Sequence, residues 1–130
     1  MQFFVYGTLT DRDTAAAVLD SFQYRGPAAL DGLHRVDGRY PTLVPDGEVS
    51  GRLLETDQTA ALDRYEGVDG GLYVRISIPR ACEGEETVRT YVGNPAKLGV
   101  DEAWPGAGPF PERVRAYVDE HEVVVRKTDH

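Results

Sequence analysis

The chain opens on a continuous apolar run, Phe3-Phe4-Val5-Tyr6, which predicts a strand covered on both faces and which stops at Gly7. Ala15-Ala16-Ala17-Val18-Leu19-Asp20 are strong helix formers; Asp13 or Thr14 is placed to cap that helix and Phe22 to close it. From Gly26 to Gly47 the pairs Gly26-Pro27, Asp31-Gly32, Asp37-Gly38 and Asp46-Gly47 punctuate the chain. Turn chemistry that dense predicts only short strands or loops between them. Val49, Gly51 and Leu53 then alternate with Ser50, Arg52 and Leu54, a strand in which Gly51 allows a bulge or close backbone approach.

Asp57 is expected to cap a helix running from about Gln58 to Tyr65, with Ala61, Leu62 and Tyr65 on one face and Gly67 stopping it in a left-handed cap. Beyond the spacer Val68-Asp69-Gly70-Gly71, Val74, Ile76 and Ile78 face one way and Tyr73, Arg75 and Ser77 the other. Val88, Thr90 and Val92 alternate with Arg89 and Tyr91, so the two segments read as a β-hairpin across the acidic turn Glu83 to Glu86. Asn94-Pro95 closes the sheet portion, and a Gly/Pro-rich connection from Pro105 leads to Pro111, suited to the first helical position. The helix Glu112 to His121 follows, with Val114, Tyr117 and Val118 on one face. Val123 to Arg126 reads as an edge strand or a mobile tail.

Length and composition narrow the class. A chain of 130 residues with 41% hydrophobic residues makes one packed domain, residues 1–130, of which 94–130 form a C-terminal extension with a helix. The formal charge of −8 is therefore a surface property, and it argues against nucleic acid and anionic membranes as partners. Among the 14 basic residues only Lys97 and Lys127 are lysine; a high-salt cytoplasm and an Arg-favouring genome explain this equally well. Cys82 is the single cysteine, so no internal disulfide forms. With no membrane-length apolar run and no charged segment at Met1-Gln2 typical of a signal peptide, a cytoplasmic location is expected.

His34, His121 and His130 are far apart, with no Cys or carboxylate at ligand spacing, so neither a metal nor another cofactor is expected. No nucleophile elbow or phosphate-loop pattern occurs. Cys82 reads as a spectator and Trp104 as a hydrophobic peg. Glu66 differs, because it ends a short amphipathic helix and so faces the negative end of the helix dipole, which raises a carboxyl pKa. On pattern alone, a solvated surface Glu is the favoured account of it.

Val5-Tyr6-Gly7-Thr8-Leu9, Tyr40-Pro41, Gly51 in its strand, Leu62-Asp63-Arg64-Tyr65-Glu66-Gly67 and Tyr73-Val74-Arg75 occur in that order. In order and spacing they resemble the gamma-glutamylcyclotransferase-like superfamily, most of all its gamma-glutamylamine cyclotransferase branch, over about residues 3 to 93. The resemblance implies an α+β fold, a small mixed β-barrel with flanking helices and a cavity at its mouth. It also implies that the loop Tyr6-Gly7-Thr8-Leu9 presents backbone N–H groups to a substrate carboxylate, and that Glu66 is the acid/base. A side chain at Gly7 would block that approach; the bland alternative is an ordinary strand-to-loop turn. Tyr40 and Tyr73 line the cavity or pack on the barrel. Tyr91 reaches Glu66 by hydrogen bond if its strand neighbours that of Tyr73, and Arg75 pairs with a surface carboxylate or serves the site.

The chemistry so implied takes a small γ-glutamyl substrate. Its α-amine attacks its own γ-carbonyl, releasing 5-oxoproline and an amine, with Glu66 moving the proton at a pKa of about 6–7. Two other readings stay open: a module on the same fold that binds small anions without turnover, and an interaction domain whose acidic surface recruits a basic partner. Thr10-Asp11-Arg12-Asp13 stands where many relatives carry a basic residue and glycine, and Val68 to Gly71 lacks the usual proline. Leu9 replaces the Asn typical of the branch acting on glutathione-type substrates. The leaving amine, the oligomeric state, and whether the loop amides hold the α-carboxylate or the developing oxyanion are left open by these residues.

Overall fold

A computed structural model of the chain describes residues 1–80, 87–101 and 104–128. Cys82, the turn Glu83 to Glu86 and His130 lie outside the described residues. The strands are β1 (Gln2–Val5), β2 (Gln23–Asp37), β3 (Pro41–Glu55), β4 (Tyr73–Pro79), β5 (Thr87–Gly93) and β6 (Val124–Lys127). The helices are α1 (Arg12–Val18), α2 (Thr59–Glu66), α3 (Pro95–Leu98) and α4 (Phe110–Glu120).

The strands form one mixed sheet in the order β4-β5-β1-β3-β2-β6, with β1 parallel to β5 and every other pair antiparallel. The sheet curls until its edges meet, where a bridge joins Arg80, just past β4, to Val125 of β6. This is the small mixed barrel expected, and β6 is an edge strand rather than a tail. Phe4, Leu30, Leu43, Leu53, Ile76 and Val88 fill its inner face, closed off by Trp104 and by Val114, Tyr117 and Val118 of α4. On the outer face Phe3, Val5, Leu54 and Tyr91 pack with Ala15 and Leu19 from the first helical segment and Leu62 of α2. The alternation of Phe3 and Phe4 between two cores explains the continuous apolar run at the N-terminus: both faces of β1 are covered. No helix among the described residues is long and apolar enough to cross a membrane.

Several expectations need correction. The segment from Gly26 to Gly47 is no set of short strands or loops. It supplies most of β2 and β3, two 15-residue strands paired along their length. The turn-like residues are absorbed as irregularities, with register shifts between Tyr24 and Gly26 and between Asp31 and Leu33. At the second, Gly32 has φ +102° opposite Asp46 and Gly47 at +79° and +83°, so left-handed residues bend the ladder instead of ending it. Helix α1 is capped by Asp11, whose side chain accepts from Thr14 N at 3.0 Å, and not by Asp13 or Thr14; it ends at Val18. Helix α2 begins at Thr59 after Gln58, and Asp57 does not cap it. Asn94, expected only to close the sheet, caps the short α3 by accepting from Ala96 N.

Candidate active site

Strand β1 stops at Val5 while its neighbours continue. Beyond its end the first residues of β3 come alongside the last of β5, where Thr42 Oγ1 accepts from Gly93 N at 2.7 Å and Tyr73 OH donates to Pro41 O at 2.5 Å. The chain leaves the sheet there as the loop Tyr6–Leu9, which enters a single 3-10 turn, Thr8–Thr10. The space beside it is a cavity of about 360 Å³, within the usual range for small-molecule sites. Every candidate residue of the sequence reading lines it: Tyr6, Gly7, Thr8, Leu9, Tyr40, Glu66, Tyr73 and Tyr91, together with Phe4, Val5, Pro41, Tyr65 and Leu72.

The loop is held by its carbonyls. Arg35 donates to Tyr6 O at 2.9 Å, Thr10 Oγ1 to Gly7 O at 2.7 Å, Asp11 N to Thr8 O at 3.1 Å, and Tyr24 OH to Leu9 O at 2.6 Å. Arg52 donates to Thr10 O at 2.8 Å while its guanidinium lies 3.7 Å over the Tyr24 ring. With its acceptors so occupied, the loop leaves the amides of Gly7, Thr8 and Leu9 without an acceptor among the described residues. Consecutive free amides of this kind suit an anion. An added Cβ at Gly7 would meet only the Pro41 ring, at the ordinary distance of 3.7 Å. The residue is therefore not forced by local crowding, and what its missing side chain leaves clear is the cavity wall.

Glu66 is the last residue of α2, before Gly67 at φ +69°. The helix is seated by fully buried Leu62, a contact contributing about 2 kcal/mol, and is tied down on two further sides. Tyr65 OH and Thr8 Oγ1 share a 2.7 Å hydrogen bond, which links α2 to the loop. Asp63, one turn before Glu66, accepts from Tyr91 OH at 2.7 Å and from Arg75. Tyr91 therefore reaches Asp63, not Glu66: its strand does neighbour that of Tyr73, but the register sets it opposite Arg75, under Asp63. Arg75 takes the pairing role.

The Glu66 carboxyl has no hydrogen-bond partner among the described residues, and burial lifts its pKa from 4.5 to about 7. Desolvation is the cause, where the sequence had suggested the helix dipole as well. Burial also raises the Tyr6 and Tyr73 hydroxyls, with the nearby Glu66 charge adding to both. Tyr6 OH donates to Tyr91 O at 2.5 Å, and Tyr40 stands half-exposed at the rim. The sequence reading missed Arg35, Arg52, Tyr24 and Asp63, all of which act one step behind the cavity wall. Only Asp63, inside the same short motif as Glu66, left a signal that could have been followed. No group of His, Cys, Asp and Glu suited to a metal ion occurs among the described residues. The site thus offers one protonatable carboxyl and a row of free amides on a largely apolar cavity.

A family model described as gamma-glutamyl cyclotransferase, AIG2-like, matches residues 3–108. Protein AIG2 C of Arabidopsis thaliana is 32% identical over 97 residues, covering 68% of this chain and 59% of its own length. AIG2-like protein A of the same plant is 33% identical over the same shares. The chain thus spans about three fifths of the length of these curated relatives. The solved structure of a protein named gamma-glutamyl cyclotransferase superposes with TM-score 0.64 at 16% identity, over 93% of this chain and 99% of that one. An uncharacterized protein from Homo sapiens gives 0.63 at 22% identity, over 72% and 66%. At those identities the likeness is one of fold.

Proposed function

The chain belongs to the gamma-glutamyl cyclotransferase, AIG2-like family, and from that premise we propose that it cyclises a small γ-glutamyl compound to 5-oxoproline. The observation that carries this reading is Glu66, a carboxyl held at a pKa of about 7 by burial, on the wall of the same cavity as the free amides of Gly7, Thr8 and Leu9. The amides hold the α-carboxylate of the γ-glutamyl group. Its curled chain brings the α-nitrogen to its own γ-carbonyl carbon, and tethering of the two reactants supplies several kcal/mol toward the barrier.

Ionised Glu66 takes a proton from the α-ammonium, and the freed amine bonds to the γ-carbon. The carbon–nitrogen bond to the leaving group then breaks as Glu66 returns the proton to the departing nitrogen, and the second hydrogen of the ring nitrogen passes through the same carboxylate to the released amine, which departs as an ammonium beside 5-oxoproline, whose ring nitrogen is neutral. Atoms and charge balance with no water, metal or covalent enzyme intermediate. A pKa near the working pH suits a group that must both accept and donate within one turnover. Asp63, gripped by Arg75 and Tyr91, fixes the turn of helix from which Glu66 projects.

The test is to incubate the protein with γ-glutamyl amines and γ-glutamyl dipeptides and to follow 5-oxoproline by mass spectrometry. Release by the native chain and its loss in Glu66→Gln support the reading. Binding of these compounds without any 5-oxoproline would replace it with the second reading, a carrier or sensor that uses the amides alone.

A further inference from the structure

A second cavity, of about 370 Å³, lies further along the hairpin and shares no lining residue with the first. Arg75 and Ser77 of β4, Arg89 of β5 and Arg115 of α4 converge on it, over buried Ile76 and Val118, with Asp119 at its rim. Three guanidiniums from three elements are unexpected in a chain of net charge −8. Three arginines elsewhere pair with the chain's own carboxylates, Arg25 with Glu55, Arg35 with Asp37 and Arg126 with Asp31 and Glu48. Arg75 is likewise paired, with Asp63. Arg89 and Arg115 have no ion pair or hydrogen bond among the described residues.

We propose that this cavity binds a small phosphate-bearing anion through Arg89 and Arg115, with Arg75 and Ser77 completing the wall. The guanidinium fork matches phosphate oxygens in pairs. Arg75 spends its charge on Asp63 and offers only its remaining N–H groups, so among the described residues lining the cavity the balance is two free guanidiniums against the one carboxylate of Asp119. The overall negative charge opposes binding from a distance. Salt screens that repulsion beyond about 8 Å at physiological ionic strength, whereas the contacts in the cavity are within it. The local cations therefore decide the outcome. The two free cations sit on opposite walls, one on the sheet and one on the helix, which favours a ligand that bridges them over a lone counterion.

Amide NMR titration of the whole chain tests this with inorganic phosphate, pyrophosphate and glycerol phosphate, against chloride at matched ionic strength. Saturable shifts confined to residues 75–77, 89 and 115–119 are expected with the phosphates and not with chloride. The Arg89→Gln/Arg115→Gln double variant should bind at least about tenfold more weakly, and Asp119→Asn, which keeps both cations, severalfold more tightly. Tighter binding of glycerol phosphate or pyrophosphate than of phosphate identifies an ester or diphosphate as the ligand; the reverse order identifies free phosphate. Shifts that chloride reproduces, or affinities unchanged in both variants, would overturn the proposal.

Discussion

Replacing Glu66 by glutamine should make the protein more stable at alkaline pH while removing its chemistry. Glu66 titrates near 7 in the folded chain and near 4.5 when unfolded. The folded state therefore binds the extra proton between those values, and stability falls as pH rises through that window. Below about pH 4.5 both states are protonated and the residue costs nothing; above about pH 7 the full cost is present. An interval of about 2.5 pH units at about 1.4 kcal/mol each makes that cost about 3 kcal/mol, less whatever water at the cavity mouth recovers. Urea unfolding of both proteins at pH 5 and pH 8 measures it. The native chain should lose about 2 to 2.5 kcal/mol more than Glu66→Gln between the two pH values, because all other titrating groups cancel in the comparison. Equal losses would show that the carboxyl is hydrated, and the reasoning that makes Glu66 an acid/base near neutrality would go with it.

Tyr91→Phe removes the hydroxyl that donates to Asp63, and should cost about 1 to 2 kcal/mol by denaturant midpoint; because it keeps the ring that lines the cavity and deletes only the hydroxyl held by Asp63, it should also lower kcat more than it alters KM. Gly51→Ala forces a methyl against the Val5 carbonyl oxygen and within 2.9 Å of the Phe4 ring; a loss of about 3 kcal/mol or failure to fold is expected, visible by circular dichroism. Asp11→Ala deletes the α1 cap and should cost about 1 kcal/mol with the cavity unchanged, as calorimetry would register.

Which of these features the sequence announced follows from how local each cause is. Strand β1, the hairpin of β4 and β5, the αL end of α2 at Gly67 and the apolar face of α4 are written in short-range period and turn chemistry. Strands β2 and β3 were hidden because glycines that terminate isolated strands serve here as bulges, and only the partner strand turns Gly32 and Gly47 from breakers into bends. Asp11 and Asp13 are equivalent as sequence signals, and the choice between them is made by where the 3-10 turn ends. The cavity-lining residues fell within motifs 60 residues apart that resemblance joined. Their supports, Arg35 and Arg52 from β2 and β3, carry no local signal, because the loop carbonyls they hold lie 29 and 42 residues away along the chain. Burial of Glu66 was equally non-local, since the cavity it lines is walled by residues of β1, β4, β5 and the Tyr6–Leu9 loop.

The central claim is that one desolvated carboxyl moves the proton in γ-glutamyl cyclisation, and the rate of 5-oxoproline formation as a function of pH addresses it most directly. With a γ-glutamyl amine at low concentration, kcat/KM for the native chain should rise through an inflection near pH 7 as Glu66 ionises. Glu66→Gln should show no product at any pH. A profile that is flat from pH 5 to 9, or product formation by the glutamine variant at the native rate, would contradict the account.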